Sequence, residues 1–127
     1  MVQTSQSKGR VLVVDDSRDT VDLLATGIGM LGYETAIATD AHEALRIARE
    51  FKPKVALLDI GLPGGVDGYE LAARLRAVVG DSLVLIAITG YVRESDRARA
   101  IEAGFDVHVA KPFDLDDLRN LLAELLP

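Results

Sequence analysis

The chain has 127 residues, of which 49% are hydrophobic, and its formal net charge is −6. This length and apolar content suit one domain with a continuous core, and the acidic balance argues against a domain that itself binds nucleic acid or an anionic membrane surface. The chain has no cysteine, which excludes disulfides and thiolate zinc sites. Residues 1–10 lack a signal-peptide core and no apolar run approaches the roughly 20 residues of a membrane span, so a cytoplasmic protein is expected.

Strand and helix patterns alternate along the chain, after a short N-terminal tail predicted over residues 1–9. The patterns that predict strands are VLVV (11–14), ETAIA (34–38), VALL (55–58), LVLIAI (83–88) and DVHVA (106–110). Three of these are apolar at every position, which is typical of strands covered on both faces of a parallel sheet.

Each strand is followed by apolar residues at helical spacing. The stripes run over 21–31, 44–51, 69–79, 98–103 and 115–125, and Ser17 or Asp16 can cap the first helix. Five β-α units predict an α/β domain over residues 10–127, with a right-handed parallel sheet and helices on both faces.

Polar side chains stand where four of the strands end. Asp15 and Asp16 follow the first strand, Asp59 ends the third, Thr89 ends the fourth and Lys111 ends the fifth. Ligands of open parallel sheets bind beyond the carboxyl ends of the strands. We therefore expect these five side chains to converge at one edge of the sheet.

The residue types in this group suit phosphoryl transfer. Close carboxylates repel one another unless a cation lies among them, and Mg²⁺ prefers carboxylate and water oxygens. A hydroxyl and an ammonium supply donors for phosphoryl oxygens, and the reaction needs little beyond positioning and charge stabilisation. Taken singly, Asp16 has the alternative role of a helix cap, and Asp59, Thr89 and Lys111 suit ordinary loops and turns. Their joint placement favours the chemical interpretation.

Four segments resemble the response-regulator receiver family, and the resemblance covers almost the whole chain. They are VLVVDDS (11–17), LLDIGLPGGVDGYEL (57–71), AITGY (87–91) and AGFDVHVAKPF (103–113). The resemblance implies a flavodoxin-like, doubly wound, five-stranded parallel sheet with strand order 2-1-3-4-5.

The resemblance also implies a role for each site residue. Asp59 is the expected phosphoacceptor. Asp16 is expected to bind Mg²⁺ directly, Asp15 largely through water, and Gly61 through its backbone carbonyl, with Mn²⁺ as the substitute cation. The resemblance also implies that Thr89 and Lys111 contact the phosphoryl group.

The expected rim of the pocket consists of Gly90, Tyr91 and Pro112, and the peptide bond before Pro112 is usually cis in such domains.

Two features depart from the family pattern. The loop between Pro63 and Asp67 is one residue longer than usual. His108 stands where many receivers have a Tyr or Phe that rotates on activation, so this histidine is expected either to move inward with Thr89 or to be a static surface residue.

The resemblance implies a signalling switch that catalyses only its own phosphorylation and dephosphorylation. Its expected partners are a sensor histidine kinase or a histidine phosphotransfer protein, of the kind associated with hybrid kinases, and an output partner. Direct nucleic-acid or membrane binding is not expected, and the expected state is a monomer or a weak phosphorylation-dependent dimer.

Two alternative functions stay open. The first is a degenerate receiver that binds partners without phosphorylation. The second is a Mg²⁺-dependent phosphatase of the haloacid-dehalogenase type, which also uses an aspartate nucleophile. Phosphatases of this type have a second acidic residue two positions after the nucleophile, where this chain has Gly61.

Overall fold

The fold is defined here by a computed structural model that describes residues 8–59, 68–89, 98, 102, 104–111 and 113–126. Its strands are β1 (Arg10–Val14), β2 (Glu34–Ala38), β3 (Val55–Asp59), β4 (Val84–Thr89) and β5 (Val107–Ala110). Its helices in the described ranges are α1 (Arg18–Met30), α2 (Ala41–Phe51), α3 (Gly68–Val79) and α4 (Leu115–Leu125). Of the helix predicted over 98–103, only residues 98 and 102 are described, and both are helical.

All five strands pair in parallel, in the order β2-β1-β3-β4-β5. The predicted fold class and strand order are therefore confirmed. The register aligns Asp59 with Ile88 and Thr89 with Ala110. The carboxyl ends of β3, β4 and β5 consequently reach the same edge of the sheet.

The core has two layers, one on each face of the sheet, because successive side chains of a strand point to opposite faces. In β1, Val11 and Val13 pack on the face covered by α1 and α4, whereas Leu12 and Val14 pack on the face covered by α2 and α3. Every residue of β3 is buried. This explains why the central strands are apolar at every position rather than at alternate ones.

The ends of α1 are fixed by local hydrogen bonds. Ser17 is the N-cap, and its Oγ accepts a hydrogen bond from the backbone N–H of Thr20 at 3.3 Å. Of the two predicted candidates for this cap, Ser17 and not Asp16 takes the role. At the other end, Gly32 follows the C-cap Leu31 with φ of 106°, a conformation that favours glycine.

The start of α4 is fixed by a capping box that follows the site residues of β5 closely. The Asp114 carboxylate accepts from the N–H of Asp117 at 2.9 Å, and the Asp117 carboxylate accepts from the N–H of Asp114 at 3.0 Å. Two backbone donors of the first turn are thereby satisfied.

The part of the predicted tail that is described, residues 8 and 9, contacts the sheet edge. The Lys8 N–H donates to the Gly32 carbonyl at 3.0 Å, and the Glu34 N–H donates to the Gly9 carbonyl at 2.9 Å. Within the described ranges, every helix falls short of the length and apolar character that crossing a bilayer demands.

Candidate functional site

Two carboxylates lie side by side at the carboxyl edge of the sheet. Asp15 directly follows β1, and Asp59 is the last residue of the neighbouring strand β3. Their side chains are close enough to share a hydrogen bond, and both residues are buried, with 5% and 7% of their surface exposed. The strand ends therefore hold two acidic groups in contact where little water reaches them.

This environment disfavours the ionised form of Asp15. Burial raises the pKa of the Asp15 carboxyl, and the adjacent charge of Asp59 raises it further. The Ser17 N–H donates to Asp15 Oδ1 at 2.9 Å, and this bond and the nearby Lys111 ammonium lower the pKa without restoring its ordinary value. The simultaneous ionisation of both carboxylates is therefore unfavourable without a further positive charge.

A lysine and a threonine complete the described part of the site. The Lys111 ammonium, which follows β5, is paired with Asp59 Oδ2. The Lys111 backbone N–H donates to the Thr89 carbonyl at 2.8 Å, and Thr89 is buried at the end of β4. The structure thus brings Asp15, Asp59, Thr89 and Lys111 to one edge of the sheet.

The remaining predicted ligands and rim residues divide into one exposed residue and four that are not described. Asp16 is exposed and lies one residue beyond the buried Asp15. Gly61, Gly90, Tyr91 and Pro112 lie outside the described residues. Among the described residues, no cluster of three or more Asp, Glu or His side chains is already close enough to hold a metal ion.

The donor set nevertheless fits a hard divalent cation. Two buried carboxylates in contact offer oxygen ligands, and a single lysine does not balance their charge when both are ionised. An ion such as Mg²⁺ binds through one or two carboxylates and keeps several waters, so it does not require a preformed cage of three side chains.

His108, which is expected either to move inward with Thr89 or to be a static surface residue, is half-buried in β5. Its neighbours Val107 and Val109 pack on the α1 and α4 face, so His108 points to the opposite face. Its Nε2 atom is buried and has no hydrogen-bond partner among the residues described.

A cavity of about 330 Å³ lies between α1 and the start of α4, next to the paired Lys111 and Asp59. Asp15, Asp59 and Lys111 form its polar end, and Leu23, Leu24 and Phe113 belong to its apolar wall. This cavity was not predicted from the sequence. One signal was available, because Leu23 is apolar yet falls outside the stripe of Val21, Leu24 and Ile28 that packs α1 onto the sheet.

Comparison with known proteins gives consistent matches. A family model described as the response regulator receiver domain matches residues 11–123. The transcriptional regulatory protein PrrA of Mycobacterium tuberculosis is 38% identical over 125 residues, which is 98% of this chain and 53% of PrrA. An uncharacterised 14.6 kDa protein of Leptolyngbya boryana is 38% identical over 115 residues, which is 90% of this chain and 87% of that protein.

Solved structures agree with these relatives. The crystal structure of a CheY-like receiver domain protein from Methanospirillum hungatei matches with a TM-score of 0.83 and 30% identity, covering 93% of both chains. This chain spans about half the length of the PrrA and MprA regulators that it matches. Sequence and structure together place it in one family: the chain belongs to the response regulator receiver domains of two-component systems.

Proposed function

We propose that this receiver domain is a phosphorylation-dependent switch of a two-component phosphorelay that accepts a phosphoryl group on Asp59. The donor is a sensor histidine kinase or a histidine phosphotransfer protein. The observation that carries the proposal is the pairing of the Lys111 ammonium with the buried Asp59 carboxylate, directly beside Asp15. A nucleophile, a cation and a second carboxylate are the groups that phosphoryl transfer to an aspartate needs.

The proposed reaction begins with attack of an Asp59 carboxylate oxygen on the donor phosphorus. The bond between phosphorus and the leaving group breaks as the new oxygen–phosphorus bond forms. Lys111 then exchanges its contact with Asp59 for one with a phosphoryl oxygen, and this charge-assisted hydrogen bond stabilises the incoming charge. Beyond its own phosphorylation and dephosphorylation, we propose no catalytic turnover.

Asp15, Asp16 and Asp59 are the side chains that would hold Mg²⁺, together with the backbone carbonyl of Gly61. A bound Mg²⁺ supplies charge neutralisation for the carboxylates and for the phosphoryl oxygens. Asp15 would bind the cation in its ionised form. Burial opposes this ionisation, and a bound cation would favour it. Asp59 would offer one carboxylate oxygen to the metal and use the other for attack.

The switch would work through Thr89 and His108. Phosphorylation turns one negative charge into about two and adds strong acceptors, which would draw the Thr89 hydroxyl toward Asp59. The space that Thr89 leaves is available to His108, whose buried Nε2 atom has no partner in the described part of the chain. The surface around β5 would then change and alter the binding of an output partner or of a second copy. We also propose that the protein acts in the cytoplasm, as expected from the sequence.

The experiment is incubation with acetyl phosphate and Mg²⁺, followed by measurement of the intact mass. We expect one phosphoryl adduct that disappears in the presence of a chelator and in the Asp59→Asn variant. If the folded protein gains no adduct in the presence of Mg²⁺, the chain is a degenerate receiver, and its partner binding is independent of phosphate.

A further inference from the structure

A second cavity lies at the amino edge of the sheet, at the opposite end of β3 from Asp59. Its volume is about 450 Å³, which falls within the range of about 300–1,000 Å³ that is typical of small-ligand pockets. Its wall combines residues near the starts of β1, β3 and β4 with the end of α4, and includes Lys8, Lys54, Ser82, Val84, Leu125 and Leu126. This wall shares no residue with the site proposed for phosphoryl transfer.

One side of this cavity carries side-chain donors. Lys54 directly precedes β3, and its backbone belongs to the sheet, because its N–H donates to the Arg10 carbonyl and its carbonyl accepts from the Val84 N–H, both at 2.9 Å. The Lys54 side chain is exposed, and its ammonium has no salt-bridge partner among the described residues. Ser82 is also exposed and adds a hydroxyl. A ligand that enters the cavity therefore meets an ammonium and a hydroxyl rather than the N–H groups of Lys54 and Val84, which are already bonded.

The other side of the cavity is aliphatic and held in place by the fold. Val84, Leu125 and Leu126 are partly buried and pack against the core on the α1 and α4 face of the sheet. Leu126 also lies against the start of β1, since a Cβ at Gly9 would be only 3.0 Å from Leu126 Cδ1. Because these side chains are ordered without a ligand, binding against them costs little conformational entropy.

The cavity lies far from the acidic groups at the carboxyl edge, although the net charge of the chain is −6. The aspartates at that edge stand at the strand ends or within two residues of them, and they are Asp15, Asp16, Asp40 and Asp59. The length of β3 separates Lys54 from Asp59 by about 16 Å, at about 3.3 Å per residue. This separation is about twice the Debye length of about 8 Å at physiological ionic strength, so salt screens the cavity from these carboxylates.

The charges near the cavity favour an anion. Lys8 contributes a second ammonium to this edge, which lies 5.8 Å from the centre of the Tyr33 ring. Glu34 is paired with Arg10 at 2.9 Å, and the exposed Asp81 adjoins Ser82 without lining the cavity. The described wall thus contains two lysines and no carboxylate.

We propose that this cavity, hereafter the amino-edge cavity, binds a small organic anion with one carboxylate and a short aliphatic chain. The carboxylate accepts from the Lys54 ammonium and the Ser82 hydroxyl, and the chain lies against Val84, Leu125 and Leu126. The inference goes beyond the proposed function and does not depend on phosphorylation of Asp59.

The composition of the wall selects this class of ligand over two others. A doubly charged phosphate would lose part of its hydration against the aliphatic side chains, and the described wall has no arginine to bind it through two parallel hydrogen bonds. A neutral alcohol would gain no charge-assisted hydrogen bond from Lys54. A carboxylate with an aliphatic chain uses both sides of the cavity.

The experiment is an NMR titration of the protein with hexanoate and with acetate. The amide resonances of Ser82 and Val84 and the methyl resonances of Leu126 report on the cavity. Hexanoate has four more methylenes than acetate, and each methylene removed from water favours binding by about fourfold. With two or three of them in contact with the wall, we expect the Kd of hexanoate to be about 15- to 60-fold lower than that of acetate. Equal Kd values would overturn the inference.

Two lysine variants test whether the carboxylate binds in the cavity. Lys54→Gln removes the ammonium and keeps the backbone hydrogen bonds of Lys54, and we expect it to raise the Kd of hexanoate about 3- to 10-fold. Lys52→Gln is the matched control, because it removes the same charge from an exposed residue that does not line the cavity. We expect this control to keep the wild-type Kd within about 1.5-fold. Equal weakening by the two variants would show a diffuse charge effect and overturn the inference.

Two further probes and one variant of the proposed phosphoacceptor complete the test. We expect hexanol and inorganic phosphate to shift the same resonances only at higher concentrations than hexanoate does. If either probe binds as tightly as hexanoate, the ligand class is wrong. Asp59→Asn should bind hexanoate with the wild-type Kd, whether or not Asp59 is phosphorylated in the wild type. A changed Kd in this variant would place hexanoate at the carboxyl edge and overturn the inference.

Discussion

The Lys111 ammonium at the end of β5 is paired with Asp59 Oδ2 at the end of β3, although β4 lies between these two strands. The long lysine side chain therefore reaches across the end of β4, where Thr89 is buried. The Lys111 backbone also contacts β4, since its N–H donates to the Thr89 carbonyl at 2.8 Å. One residue thus connects the proposed phosphoacceptor with the proposed switch threonine.

Replacing Lys111 by Gln should slow phosphorylation of Asp59. A hydrogen bond from a charged donor contributes about 1.5–3 kcal/mol, which corresponds to a loss of roughly 10- to 100-fold in rate if the bond acts in the transition state. Lys111→Arg keeps the charge but changes the geometry, and we expect an intermediate rate. Initial rates of adduct formation from acetyl phosphate measure both. Equal rates for wild type and Lys111→Gln would show that Lys111 does not contact the transferring group.

Replacing Asp15 by Asn should stabilise the protein in the absence of divalent cations. The substitution removes a buried charge that lies against Asp59, and the expected gain in unfolding free energy is on the order of 1 kcal/mol. It should also abolish the stabilisation that added Mg²⁺ gives to the wild type. Urea unfolding with and without Mg²⁺ measures both effects. Asp19→Asn, at an exposed position in the first turn of α1, is the control.

The same residue predicts a pH dependence in the metal-free protein. Because burial raises the pKa of Asp15 in the folded state, its contribution to stability is complete below the ordinary value of 3.8 and is lost as the pH rises through the folded pKa. The gain from Asp15→Asn should therefore grow between about pH 4 and neutrality. If the gain in unfolding free energy stays constant over this pH range, burial does not raise the pKa of Asp15.

Arg76 should contribute far more to stability than the neighbouring Arg74. Arg76, at the end of α3, donates to the carbonyls of Leu83 and Gly104 and to the Asp106 carboxylate, and it is only 23% exposed. Asp106 in turn accepts from the Leu85 N–H at 2.8 Å, so this network joins α3 to the starts of β4 and β5.

We expect Arg76→Ala to lower the free energy of unfolding by about 1–3 kcal/mol, because it leaves two part-buried carbonyls without this donor. Arg74→Ala removes only an exposed pair with Glu70 on the same helix and should cost about 0.3–0.5 kcal/mol. Urea unfolding compares the two variants. Equal losses would mean that the Arg76 network is not maintained in solution.

Two glycines of α1 should respond differently to replacement by alanine. A Cβ at Gly29 meets no atom within 4 Å, so Gly29→Ala should gain about 0.5–1 kcal/mol of stability from helix propensity. A Cβ at Gly27 would lie 3.0 Å from Leu115 Cδ1, so Gly27→Ala should gain less or lose stability. Thermal unfolding tests the pair, and a larger gain for Gly27→Ala would contradict the close contact between α1 and α4.

The sheet could be predicted from sequence because its signals are local. Runs such as VALL (55–58) are apolar at every position, and the observed strand β3 extends this run by one residue to include Asp59. The convergence of Asp15, Asp59, Thr89 and Lys111 followed from the strand order, because parallel strands end at the same edge. The choice of Ser17 over Asp16 as the cap of α1 was left open, since both residue types suit the position.

Other features depend on contacts between distant parts of the chain. Arg76 has the helical spacing of an ordinary exposed residue, and only the packing of α3 against β4 and β5 shows its carbonyl partners. The half-buried environment of His108 likewise follows from the face of β5 on which it lies. The cavity beside Lys111 and Asp59 forms where α1 meets the start of α4, and no single segment contains its pattern.

The most direct test of the central claim is to locate the phosphoryl group. After treatment with acetyl phosphate and Mg²⁺, reduction with borohydride converts a phosphorylated aspartate to homoserine, and tandem mass spectrometry of the peptides identifies the position. The account predicts homoserine at position 59 alone, in an amount that matches the intact-mass adduct. Homoserine at position 15 or 16, or an adduct on a hydroxyl side chain, would contradict the assignment of Asp59 as the phosphoacceptor.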